Sequence, residues 1–296
     1  MIDLSRASGL PLTVDDSRPD LAVQFEGGLR PGTLDTRALA ELRPALADPT
    51  ASGPDPAYFM YRGVADFAAA DPVTHRAYRW RYDVTVFPPG RLVREYLRTL
   101  GHYHLPVEGG TASYPEVYEV LSGAATFLLQ KVDSIFAKPS NVQVLDFIVL
   151  HAEAGMKALM LPDYGHWTIN ATDRPLVVSN WICADCGSYY ESMSLTRGPC
   201  YHVVALADGP CYVRNELYVH LPPELTVARP QDAPALGLVR DQPIFPDLLA
   251  HPERWRYLCE PDEAEVDLRS AIEIRERATP ATSLAGPEAS VKGRGT

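Results

Sequence analysis

Positive charge is what this chain is short of. Its 296 residues carry 27 Lys and Arg against 38 Asp and Glu, a formal net charge of −11. Such a field repels phosphate backbones and anionic bilayers, so no nucleic acid and no membrane is expected as a main partner. A small anionic ligand stays admissible because anion sites are local, but it needs donors focused on it. No uncharged apolar run reaches the length that spans a bilayer. The first twenty residues hold Asp3, Asp15, Asp16 and Asp20 and no apolar core of the kind a secretory signal has. A cytoplasmic protein is therefore expected. A Gly-rich phosphate loop of the Walker or Rossmann type is missing, as is any internal repeat. Cysteine is scarce and odd in number, at 183, 186, 200, 211 and 259. Cys183 and Cys186 have redox or zinc spacing, and Cys200 with Cys211 could complete a set of four. The odd count without a signal favours reduced thiols.

What the chain has is short β-patterned segments. Tyr78, Trp80 and Tyr82 alternate with Arg79, Arg81 and Asp83, which predicts a half-buried strand from Ala77 towards Pro89; Arg79 and Arg81 are either an anion patch or, the favoured reading, a solvated face. Further strands are predicted at Tyr58 to Val64, Ala125 to Lys131, Val142 to His151, Lys157 to Leu161, Leu176 to Ile182, Tyr201 to Leu206 and Cys211 to Arg214. Gly and Pro punctuate them, as in a sandwich or barrel. Helices are few. Thr33 to Leu42 reads as a capped helix with Leu39 and Leu42 on one face. Phe245 to Leu249 and Pro252 to Leu258 read as short Pro-initiated helices, and Val266 to Ala278 as an amphipathic one. The last eighteen residues are small and polar and predict disorder.

The chemistry concentrates between Gly101 and Gly123. His102 and His104 share one face of a strand, and Gly109, Gly110 and Thr111 predict a turn. Glu116 then opens a returning strand, so that two imidazoles and a carboxylate face each other across a hairpin. His166, in the stretch Pro162 to Asn170, is the fourth candidate ligand. Three imidazoles and a carboxylate suit one divalent ion per chain (Fe, Mn, Ni or Zn) and not an all-oxygen Mg or Ca site. If the ion is octahedral, two positions stay open for adjacent sugar oxygens or for O2 and a substrate. His75, His151, His202, His220 and His251 lack such a setting and read as structural.

His102-Tyr103-His104, Glu116 and Gly123 resemble the first cupin motif; Gly155, Pro162, Gly165, His166 and Asn170 resemble the second. Thr99 to His104, Pro115 to Tyr118, Leu128 to Gln130 and His166 to Asn170 resemble the cupin-type glucose-6-phosphate isomerases over about residues 30 to 262. The resemblance implies an all-β cupin fold, a jelly-roll or double-stranded β-helix barrel with short flanking helices at both ends. The implied division is an N-terminal segment (1–55), a barrel with the metal site (56–215), an extension packed on it (216–265) and a helix with a disordered tail (266–296). It also implies a homodimer, a sugar-phosphate substrate and interconversion of glucose 6-phosphate and fructose 6-phosphate through a cis-enediol. Residue by residue it implies Glu116 as catalytic base as well as ligand, Tyr190 as a second catalytic group, and a neutral phosphate cradle at Thr85, Thr99 and Gly101 with Tyr118 nearby. Archaeal members carry Pro-Ala-Asp-Ala-Gly-His-Asp-Tyr where this chain has Cys183 to Tyr190, so Ser188 replaces a His; Ile182 stands where they have Tyr. Those departures keep open an isomerase or epimerase on another phosphosugar. The ligand set alone also admits a cupin oxygenase or a ligand-binding protein.

Overall fold

Strands dominate because β-branched and aromatic residues recur with period two between Gly and Pro stops. The structure, a computed structural model, describes residues 1–64, 79–207 and 209–281. In chain order the strands are β1 (Ile2–Asp3), β2 (Leu12–Val14), β3 (Val23–Phe25), β4 (Thr33–Arg37), β5 (Tyr58–Arg62), β6 (Trp80–Phe87) and β7 (Arg91–Leu92). There follow β8 (Glu95–Arg98), β9 (Tyr103–His104), β10 (Glu116–Ser122), β11 (Ala124–Val132), β12 (Val144–Glu153), β13 (Lys157–Met160) and β14 (Tyr164–Asn170). The last are β15 (Leu176–Cys183), β16 (Ser188–Tyr189), β17 (Tyr201–Leu206), β18 (Gly209–Arg214), β19 (Leu225–Pro230) and β20 (Ile272–Ala278).

One six-stranded sheet runs β13-β10-β15-β6-β5-β4, and a second runs β18-β17-β8-β14-β11-β12-β19-β20 with β7 on β8. Their inner faces meet: the Tyr118 ring of β10 lies 5.1 Å from Phe127 of β11 and 5.9 Å from His166 of β14. This is the all-β cupin barrel expected from the sequence. Side-chain alternation divides each strand between the two faces. On β6, Arg81 and Thr85 line the interior cavity while Tyr82 turns outward onto Trp181 of β15, 4.6 Å away. The C-terminal extension covers that outer face, with Phe245 against Trp181. Glu119, buried on the same face, accepts from Ile244 N at 2.9 Å and from Trp181 Nε1 at 3.3 Å, and lies 3.7 Å from Lys157.

Two segments depart from expectation. Thr33–Arg37 is a strand paired with β5, leaving only Leu39–Leu42 helical; an open sheet edge captures the backbone before a helix can nucleate. Val266 to Ala278 is not a helix. After a 3-10 turn at Leu268–Ala271 it becomes β20, antiparallel to β19. Ile272 and Ile274 alternate with Glu273 and Arg275, and the neighbouring strand supplies a Glu273–Arg229 pair at 2.9 Å. The expected disorder after residue 281, and Ala77, Tyr78 and His75, lie outside the described residues.

Buried charge ties the barrel to the N-terminal segment. Glu95 sits 3.3 Å from both Arg98 and His202 and accepts Ala47 N at 2.8 Å. Burial raises its pKa, but Arg98, His202 and the Ala47 amide outweigh that and hold it at about 2 against an ordinary 4.5. A depressed carboxylate stabilises above its unfolded pKa and loses that contribution as pH falls through the folded one. Glu95 should therefore contribute about 3 kcal/mol that disappears between pH 4.5 and about 2. Urea unfolding of Glu95→Gln should show lower stability at neutral pH and a flatter acid limb than the parent.

Candidate metal centre

Four side chains from both sheets converge at the barrel interior. Glu116 opens β10 in the six-stranded sheet, and His166 lies on β14 in the second. His104 is on β9, and His102 bridges directly to His166. The expected hairpin between the His102 and Glu116 segments forms only at its tip, where Pro106 bridges Ser113 antiparallel and Val107 N donates to the Ala112 carbonyl at 2.9 Å; the pairing does not continue to the ligands. Glu116 pairs with Met160 and Ile182, while His104 pairs with Ser188. The ligand segments face each other across the barrel because each strand is already claimed by other neighbours.

The donor atoms of His102, His104, Glu116 and His166 all lie within 4.8 Å of one another. His102 Nε2 and His104 Nε2 are 3.0 Å apart. Glu116 Oε2 is 3.1 Å from His166 Nε2 and 3.6 Å from His104 Nε2. A six-coordinate ion with bonds of about 2.1 Å holds adjacent donors about 3.0 Å apart, so one cation fits these spacings. Glu116 Oε2 and both ring nitrogens of His166 are buried without a hydrogen-bond partner, which is costly for polar atoms and is relieved at Oε2 and Nε2 by a shared cation. Neighbours aim the ligands. The Tyr114 carbonyl accepts from His104 Nδ1 at 2.7 Å, which leaves the Nε2 lone pair facing the cluster. Asn180 Nδ2 donates to Glu116 Oε1 at 2.6 Å.

The electrostatics favour the metal-binding protonation state. Burial, then the charges of His166 and His104, push His102 well below the usual imidazole range. Burial likewise lowers His104 to about 4, against the opposing pull of Glu116. Burial would raise Glu116, but the 3.1 Å approach of His166 Nε2 and the fields of the His166 and His104 imidazoles bring it below its ordinary value. Near neutral pH His102 and His104 present lone pairs and Glu116 a negative charge, so a cation has few protons to displace.

The cluster opens into a cavity of about 360 Å³. Thr85, Thr99, Gly101, Tyr118 and Tyr190 all line it, as do both departures, Ile182 and Ser188. Tyr190 is 37% exposed at the mouth, its ring 5.2 Å from His102. Thr99 Oγ1 accepts from Thr168 N at 3.0 Å, which leaves its own proton for a ligand. Gly101 has φ +78, and a Cβ there would sit 2.0 Å from Nε1 of the buried Trp167. Gly101→Ala should cost about 3 kcal/mol through left-handed strain and overpacking. It should also weaken metal binding by displacing His102, readable by thermal unfolding and metal titration.

Sequence reasoning missed two of the cavity's arginines, Arg37 and Arg62, and favoured a solvated face for the third, Arg81. Arg37, Arg62 and Arg81 all line the cavity, so Arg81, though 37% exposed, is on the cavity side of its strand. Arg62 Nη1 and Arg81 Nε donate to the fully buried Asp83 at 2.9 and 3.0 Å. The alternation at Trp80 to Asp83 had located the strand, and Asp83 two residues after Arg81 was the available sign of an inward-facing ion pair. The four-cysteine set does not assemble: Cys183 lies beside Cys259 instead, and none of the five cysteines is in a disulfide. His151 and His202 are held by Thr126 and Tyr212 and by Glu95, in structural roles.

The model of the family "Glucose-6-phosphate isomerase (GPI)" matches residues 33–219, more than half of the chain. A glucose-6-phosphate isomerase of Thermococcus litoralis is 26% identical over 133 residues, 42% of this chain and 62% of the relative. That of Pyrococcus furiosus gives the same identity over the same shares. The chain thus spans less than two thirds of these curated relatives. Among solved structures, an oxalate oxidase aligns at TM-score 0.31 and 14% identity, over 46% of this chain and 55% of the other. A Klebsiella pneumoniae protein with a double-stranded beta-helix domain aligns at 0.25 and 18%, over 37% and 74%. Those scores are too low to carry an argument. From the match over residues 33–219, the chain belongs to the glucose-6-phosphate isomerase family.

Proposed function

We propose that this protein is a metal-dependent aldose–ketose isomerase that interconverts glucose 6-phosphate and fructose 6-phosphate through a cis-enediol. The observation that carries the proposal is a cation-sized cluster of three imidazoles and a carboxylate at the base of a polar cavity, in a chain of this family. When bound, one divalent ion (Fe, Mn, Ni or Zn) held by His102, His104, Glu116 and His166 would supply Lewis-acid stabilisation of the enediolate charge.

The chain's own residues do the remaining work. Glu116 takes the proton from C2 and returns it to C1, using Oε2 while Asn180 holds Oε1. Tyr190, at the mouth beside His102, orients the sugar hydroxyls. Thr85, Thr99 and Gly101, with Tyr118 nearby, bind the phosphate end. The family resemblance also carries the expectation of a cytoplasmic homodimer, which gel filtration and fractionation would check.

Incubating metal-loaded protein with glucose 6-phosphate in D2O should place deuterium at C2 and yield fructose 6-phosphate without O2 uptake. Oxygen consumption, or binding without C2 exchange, would instead mark an oxygenase or a binding protein. Ser188 and Ile182 in the cavity wall favour a second reading, an isomerase or epimerase on another phosphosugar, and a panel of hexose and pentose phosphates in the same assay separates the two.

A further inference from the structure

The cavity's three arginines are not equivalent. Arg62 and Arg81 share the buried Asp83, and Arg62 also lies 3.5 Å from Asp35. Two guanidinium charges are thus matched by two carboxylates, leaving that wall nearly neutral. Arg37 stands apart. It ends the edge strand β4, opposite Tyr58 of β5, and its side chain is 21% exposed. Its Nη1 donates to Glu41 Oε1 at 3.0 Å, a carboxylate 49% exposed as Asp35 beside Arg62 is 55% exposed, so what sets Arg37 apart is its remaining donor and not its net charge. Its Nε is buried with no hydrogen-bond partner. A buried guanidinium N–H without an acceptor is costly, and because Arg37 lines the cavity, that donor is available to something that enters it.

The position of Arg37 says which end of a ligand it would meet. The Tyr58 hydroxyl lies beside its guanidinium and accepts from Leu100 N at 3.3 Å. Arg37 therefore adjoins the segment Thr99-Leu100-Gly101 that walls the same cavity. Thr99 has a hydroxyl proton to give there. A guanidinium edge beside a threonine hydroxyl suits a tetrahedral dianion, which takes an arginine fork and extra neutral donors together.

We infer that Arg37 is a specificity-determining residue that grips the phosphate of the ligand, so that this site selects phosphorylated sugars by a charged fork and not by neutral donors alone. The inference rests on the proposed function for the identity of the sugar, but not for the presence of an anion subsite. Inorganic phosphate tests that subsite without turnover. Calorimetric titration of inorganic phosphate into the metal-loaded protein should show binding that Arg37→Gln weakens about 10- to 100-fold, with Arg37→Lys intermediate. In turnover, Arg37→Gln should raise KM for glucose 6-phosphate by a similar factor and leave kcat within a few-fold; a purely structural role would lower kcat and melting temperature together without rescue by Lys. Parent protein that does not bind phosphate, or an unchanged phosphate affinity or KM in a folded Arg37→Gln, overturns the inference. Phosphate binding lost in Arg37→Gln upholds it even where no isomerase activity is found, which separates its failure from failure of the functional reading.

Discussion

Glu116→Gln should lower kcat for isomerisation by about 10²- to 10⁴-fold, the usual contribution of a positioned general base. The substitution preserves volume, and the amide oxygen can still accept from Asn180, which now holds Oε1 at 2.6 Å. What disappears is the negative charge and basicity at Oε2, the atom that faces His166 and His104. Because Glu116 is proposed both to hold the ion and to move the proton, its two roles must be separated. Metal affinity should fall as well, so kcat is to be measured at saturating metal, with C2 deuterium exchange as the independent readout. A saturated Glu116→Gln protein within tenfold of the parent in both would remove Glu116 as the base and leave it a ligand only. A carboxylate locked on a metal is a weak base. With Oε1 held by Asn180, Oε2 is the atom left to serve either partner.

His104→Ala should abolish stable metal binding, and activity with it. Four-ligand sites hold an ion with about 10–16 kcal/mol, so one ligand accounts for about 3 kcal/mol, or at least about 100-fold in affinity. The loss should exceed that share because His104 is oriented by Tyr114 O at 2.7 Å and is almost fully buried; its removal leaves space for water and unpaired donors around Glu116. Metal content after dialysis should drop from one ion per chain to near zero. A protein that kept both its ion and its turnover would place the metal centre elsewhere. His151→Ala is the matched control: its ring bonds Thr126 and Tyr212, away from the cluster, and metal content should not change.

Much of this site could be read along the chain. His102, His104, Glu116 and His166 were legible because turn glycines and prolines bracket each of them, and because strand alternation puts His102 and His104 on one face. The hairpin expected between them exists only at its tip, Pro106 opposite Ser113, and stops short of the ligands. Hydrogen-bonding partners are chosen among all strands, and β13 and β15 compete successfully for β10. Arg81 looked solvated because period two separates two faces without saying which one is the barrel interior. Arg37 was assigned to a helix, since Thr36 to Leu42 has good local propensity, and only its pairing opposite Tyr58 brings it to the cavity. Val266 to Ala278 failed for the same reason: its short amphipathic pattern fits either period, and β19 had a free edge.

Composition and order of residues therefore determined the class of molecule: strand-rich, acidic, and equipped with four ligand-type side chains near turns. These are local properties, set by covalent spacing and side-chain chemistry. Tertiary structure alone decided that the four donors meet within a few ångströms, that Asp83 is shared by Arg62 and Arg81, and that Arg37 lines the cavity with a buried, unpartnered donor. Those outcomes depend on which of many sterically equivalent strand edges pair, a choice made by the whole barrel when it closes over its core.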